Sequence, residues 1–70
     1  AAIRRAMAAL PDEQRAVLAL RVWDGLEYEE IAAVEGVPIG TVRSRLARAR
    51  QALREALGGM LDERLEHAAG

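Results

Sequence analysis

The chain has 70 residues, which is one domain near the size where a single core is only marginally stabilising. It carries no Cys and one His, which excludes disulfides, thiolate metal sites, Cys nucleophiles and a His-based metal cluster. Hydrophobic residues make up 51% and charged residues 30%, a globular composition, and no apolar run approaches the roughly 20 residues that span a bilayer. No segment has the pattern of a secretory signal, so a cytoplasmic setting without membrane contact is expected. No cofactor is expected. Residue 1 is Ala, which points to a piece of a longer protein.

The net charge of −1 conceals an uneven distribution. All ten basic residues are Arg, and five of them (Arg43, Arg45, Arg48, Arg50 and Arg54) lie within one short stretch. Guanidinium groups are planar forks that suit phosphates and guanine edges. Because charges beyond a Debye length of ~8 Å are largely screened, this local block says more about partners than the overall balance does. The same block also fits a solvated helix face.

Strand signals are missing: Phe is absent, β-branched residues are scattered, and Ala, Leu, Arg and Glu dominate. The chain reads as a small all-α domain of four helices and a tail. The first helix covers about residues 1–9, with Ile3, Ala6, Met7 and Leu10 on one face, and stops before Pro11. The second runs from Pro11, at its first helical position, to about Trp23, with Asp12 and Glu13 at the positive end of its dipole. Ala16, Val17, Leu18, Leu20, Val22 and Trp23 point nearly all round its axis, so it is either a central strut or has one side awaiting a partner. Trp23 reads as core or docking surface. Gly25 is the expected left-handed cap.

The third helix covers about 27–35. Glu27, Glu29 and Glu30 crowd its first turn, Tyr28, Ile31, Ala32 and Val34 supply its inner side, and Gly36 closes it. The fourth runs from about Ile39 to Leu57. At ~100° per residue, Val42, Leu46, Ala49, Leu53, Ala56 and Leu57 fall within about 120° of one another. Arg43, Ser44, Ala47, Arg48, Arg50, Gln51 and Arg54 take the opposite side, with Thr41 and Arg45 at one margin. Gly58-Gly59 stops the helix, and Met60, Leu61 and Leu65 give the tail a weak amphipathic repeat. The expected division is 1–10 as a helix leading from a missing domain, 11–58 as the DNA-binding unit, and 59–70 as the tail.

Two helices joined by a short turn containing Gly form a helix-turn-helix, here the third and fourth helices. Ala32 lets them approach, Gly36 permits the turn, and Val37 and Val42 plug the angle. The long second helix of such a pair enters the major groove, leading with its N-terminal residues: Gly40, Thr41, Arg43 and Ser44. Gly40 and Ser44 add little bulk, Thr41 and nearby amides can bind phosphate, and Arg43 and Arg48 can reach base edges.

Leu10-Pro11, Arg15-x-Val17, Leu20-Arg21, Gly25-Leu26-x-Tyr28-Glu29-Glu30-Ile31-Ala32 and Gly36-Val37-Pro38-x-Gly40-Thr41-Val42-Arg43-Ser44-Arg45-Leu46-x-Arg48-Ala49-Arg50 carry a family resemblance. The chain resembles region 4 of bacterial sigma-70-type factors, most closely the extracytoplasmic-function subgroup, over about residues 10–57. The resemblance implies recognition of the −35 promoter element in double-stranded DNA and docking on the flap of the RNA polymerase β subunit. Anti-sigma proteins frequently target this region, and the missing N-terminal sigma domain is a candidate intramolecular contact. It further implies that Arg43, Ser44, Ala47 and Arg48 face the bases. Arg21, Thr41, Arg45 and Arg50, with backbone near Tyr28, would hold phosphates, in a bacterial, nucleoid-associated setting. Three departures stand out. Glu27 replaces a frequent Ser or Thr cap, at a cost of ~1 kcal/mol. Ala47 replaces a larger side chain, and Glu35 replaces a frequent Leu, which suggests an exposed site.

Two other functions fit parts of the pattern. A response-regulator output domain shares the helix-turn-helix skeleton but usually dimerises. A helical protein-interaction module would use the all-round apolar second helix but does not need the Arg front. No phosphate-gripping Gly loop, metal set or catalytic triad suggests an enzyme, and dipole compensation accounts for Glu29-Glu30. His67 reads as a solvated tail residue.

Overall fold

The computed structural model describes residues 2–57, and their regular structure is entirely helical: α1 (Ala2–Ala8), α2 (Asp12–Val22), α3 (Tyr28–Glu35) and α4 (Ile39–Leu57). Gly58-Gly59, the amphipathic tail and His67 lie outside the described residues, as does the side chain of Ile3. The stripe along α4 organises the rest. Val42, Leu46, Ala49 and Leu53 are buried, and α4 packs against each of the other three helices. Met7, Leu10, Val17, Leu18 and Ile31 complete one core cluster to which every helix or its adjoining turn contributes. Fully burying one such Val, Leu or Ile side chain contributes about 1.5–3 kcal/mol.

Several local readings change. Pro11 is not the first residue of α2 but its N-cap, with extended geometry (φ −54°, ψ 148°) and its carbonyl accepting the Arg15 amide at 3.0 Å. Its ring already fixes φ, so only ψ separates the two positions. Arg15 Nη1 reaches back to the carbonyls of Ala8 (3.3 Å) and Leu10 (3.2 Å), and its other branch pairs with Asp12, tying the α1–α2 turn. On α2, Val17 and Leu18 are buried and Ala16, Ala19, Leu20 and Val22 half-buried, so the helix is a strut. Trp23 is outside the core, 53% exposed.

On α3 the inner strip is centred between Tyr28, Ile31 and Ala32. At ~100° per residue, Val34 falls roughly 110° from that centre while Glu35 falls inside it. Val34 is accordingly 62% exposed rather than inward, and Glu35 is half-buried rather than exposed. On α4, Ala56 sits at the margin of the stripe, one turn beyond Leu53, and is exposed. The cap that Glu27 was expected to lack is supplied another way. Glu27 and Glu30 form a capping box, with the Glu30 carboxylate accepting the Glu27 amide at 2.8 Å.

The turn between α3 and α4 sets the angle of the helix-turn-helix. Gly36 adopts a left-handed conformation (φ 68°, ψ 37°), and the Val37 amide donates to the Ala32 carbonyl at 3.1 Å. The Pro38 carbonyl then accepts the amides of Thr41 (2.9 Å) and Val42 (3.3 Å), starting α4. A Cβ on Gly36 would meet no atom within 4 Å, so a substitution there isolates backbone strain from crowding. Gly36→Ala is expected to cost about 1–2 kcal/mol, and Gly36→Asn less, because Asn tolerates this region. Thermal unfolding measures this: for a domain of this size each kcal/mol moves the midpoint by about 4–8 °C. Equal midpoints for Gly36→Ala and the parent would contradict it.

Candidate nucleic-acid interface

The face of α4 turned away from the core is a ladder of exposed positions at steps of three and four: Gly40, Arg43, Ser44, Ala47, Arg48 and Gln51. At ~1.5 Å rise per residue this ladder is about 16 Å long on a rod about 10–12 Å thick, which fits a B-DNA major groove about 12 Å wide. All four residues expected to face bases lie on it. A Cβ at Gly40 would meet open space, so internal packing does not require glycine there, and its absence adds clearance in front of the helix.

The residues expected to hold phosphates divide into two places. Thr41 and Arg45 are half-buried along one margin of the ladder. With Ser44 and Arg48 they line a polar depression of about 380 Å³ between the starts of α4 and α2, where Glu13 and Gln14 form the facing wall. Arg45 Nη2 lies 3.4 Å from a Glu13 carboxylate oxygen.

Arg21, Tyr28 and Arg50 meet on another side of the domain. The Arg21 guanidinium lies over the Tyr28 ring, 5.6 Å from its centroid, and the Tyr28 hydroxyl oxygen accepts a hydrogen bond from Arg50 Nη2 at 3.2 Å. Arg50 is half-buried by this bond rather than standing on the solvent front. Arg21, expected to bind phosphate, is 8% exposed. Its Nη1 donates to the Leu26 carbonyl at 2.9 Å and lies 3.6 Å from the Glu27 carboxylate. The physical reason is the tight α2–α3 connection, whose inward carbonyl needs a strong donor. Arg21 thus fixes the approach to α3 from inside.

Glu13 and Gln14 were not expected at the interface. No sequence signal marks them, because their neighbours in the depression lie about 30 positions away. Among the described residues no cluster of three or more His, Cys, Asp or Glu side chains is placed to hold a metal. No described helix is long and apolar enough to cross a membrane.

A second surface lies between α1 and α2. Met7, Ala8, Ala16, Ala19 and Trp23 line a largely apolar groove of about 590 Å³, with Arg4, Asp12 and Arg15 also lining it.

Residues 1–53 match the family described as "Sigma-70, region 4". The chain is 46% identical over 63 residues to the RNA polymerase sigma-H factor of Pseudomonas aeruginosa, a match covering 90% of this chain and 33% of that protein. It is 53% identical over 49 residues to the ECF RNA polymerase sigma-E factors of Salmonella typhimurium and Escherichia coli, covering 70% of this chain and 26% of each of those proteins. The chain therefore spans about a third or less of the length of these curated relatives.

Proposed function

The chain belongs to the sigma-70 region 4 family, and on that premise we propose that it reads the −35 promoter element within a longer extracytoplasmic-function sigma factor, directing RNA polymerase to its promoters in the bacterial cytoplasm. The single observation that carries this reading is the exposed ladder on α4, with Arg43, Ser44, Ala47 and Arg48 in line over an apolar back. Arg43 and Arg48 address base edges, where an Arg fork on guanine O6 and N7 is the commonest specific contact. Ala47 touches a thymine methyl at most. Thr41 and Arg45 hold phosphate beside the ladder. Arg21, Tyr28 and Arg50 serve a second backbone locus, in which Arg21 acts by holding the turn before Tyr28 and Arg50 by its guanidinium.

The α1–α2 groove and Trp23 lie away from that ladder and suit a protein. The RNA polymerase core, through the β-subunit flap, is the proposed occupant, and an anti-sigma protein or the preceding sigma domain would compete for the same domain. An exposed Trp beside an apolar groove is typical of interface anchors.

The test is fluorescence anisotropy with labelled duplexes of differing sequence. Arg45→Ala is expected to weaken all duplexes alike and to flatten the dependence of log K on log salt by about 0.9. Unchanged affinity and slope would overturn the phosphate assignment.

A further inference from the structure

In the Arg45–Glu13 pair an acidic side chain reaches into the cationic interface. The ion pairs of Asp12 with Arg15 and of Glu27 with Arg21 lie away from the ladder, whereas that of Glu13 with Arg45 lies in the polar depression. Among the described residues no carboxylate pairs with Arg43 or Arg48. The two partners of the Arg45–Glu13 pair are unequal. The Arg45 side chain is 19% exposed, fixed along the margin of α4, whereas Glu13 is 72% exposed. The 3.4 Å separation is longer than the ~2.7–2.9 Å of a charge-assisted hydrogen bond. A buried-sided cation therefore faces a solvated, loosely held anion.

We propose that Glu13 is a positioning residue for DNA binding: it stands in for a phosphate at Arg45 in the free protein and is displaced when a duplex docks. The inference rests on the DNA-binding reading above. Pro11 caps α2 directly before this turn, and Asp12 is already engaged by Arg15, so Glu13 is the first-turn acid left to face α4. Its carboxylate holds the guanidinium at the mouth of the depression that Ser44 and Arg48 also line. An incoming phosphate must take Glu13's place, and the released carboxylate then sits near the DNA backbone and regains a counterion. Background affinity falls for every sequence, while Arg43 and Arg48 remain unpaired for base reading. The effect is a uniform penalty on every duplex that leaves discrimination between sequences untouched.

The test compares the 70-residue chain with Glu13→Gln, Glu13→Asp, Asp12→Asn, Arg45→Ala and the double variant Glu13→Gln/Arg45→Ala. Anisotropy is read on a promoter-type duplex and on a scrambled duplex of the same composition over a range of salt, with circular-dichroism melts to verify folding. Glu13→Gln is expected to tighten both duplexes by the same factor, about two- to fivefold at low salt, the range an exposed ion pair is worth. It should steepen the slope of log K against log salt by less than the ~0.9 of one phosphate contact, because Arg45 meets phosphate in both proteins and only the counterion regained by Glu13 is removed. Glu13→Asp should restore the parent slope. Asp12→Asn removes the same charge from the same turn and should leave the slope at the parent value, and the gain should vanish in the Arg45→Ala background. No gain from Glu13→Gln, an equal gain from Asp12→Asn, or a gain that survives Arg45→Ala would each overturn the proposal. The parent binding DNA and weakening on Arg45→Ala while Glu13→Gln stays silent would overturn this inference alone. Failure of the parent to bind any duplex would overturn the DNA-binding reading first.

Discussion

Leu46→Ala is expected to leave the chain largely unfolded at 25 °C. Leu46 is 1% exposed and lies mid-way along the buried stripe of α4, the helix against which α1, α2 and α3 all pack. Deleting its side chain removes the transfer energy of the lost groups and opens a cavity, together about 2–5 kcal/mol. A core in a chain this short rarely supplies more than about 3–5 kcal/mol, so the loss is comparable with the whole. Urea titration followed by far-ultraviolet circular dichroism measures it. Ala47→Ser, one residue on but exposed, should stay within about 0.5 kcal/mol of the parent. Equal effects at 46 and 47 would mean that α4 does not turn its apolar stripe inward.

Arg43→Ala and Arg48→Ala are each expected to cost about 1–3 kcal/mol of discrimination between the preferred duplex and its single-base variants, a loss of about 5- to 150-fold in the affinity ratio. Each should relax preference at a different base pair, since the two side chains are five residues apart, about 7–8 Å along the rod. Arg4→Ala, an exposed Arg on α1 beside the apolar groove, should leave the ranking of duplexes unchanged. Competition anisotropy against a panel of single-base variants gives the comparison. An unaltered ranking in both α4 variants would remove base reading from this face.

Much of the fold was legible because short helices with strong punctuation leave few alternatives. The apolar stripe of α4 recurs at Val42, Leu46, Ala49 and Leu53, and Pro11, Gly25, Gly36 and Pro38 mark the turns between elements. Register within α3 was harder. Eight residues carry one buried side chain, Ile31, and apolar character alone put Val34 inward, whereas the angular spacing from Tyr28, Ile31 and Ala32 turns Glu35 inward and Val34 outward. The ladder of exposed residues on α4 followed directly from the stripe behind it. The fate of individual arginines did not. Arg21 and Arg50 look like any other cations in sequence, yet the Leu26 carbonyl holds Arg21 inward beside the Tyr28 ring, and the Tyr28 hydroxyl holds Arg50. Glu13 opposite Arg45 is a tertiary pairing that no local rule indicates. The capping box at Glu27 and Glu30 lacks the Ser or Thr that usually announces it.

The central claim is that duplex DNA meets the exposed face of α4 and not the groove between α1 and α2. Amide-resolved chemical-shift mapping during titration with double-stranded DNA at low salt measures this directly. The expected result is perturbation concentrated at Gly40, Thr41, Arg43, Ser44, Ala47 and Arg48, with Glu13 following. Perturbations confined to Ala8, Ala16, Ala19 and Trp23, or none at all, would contradict it.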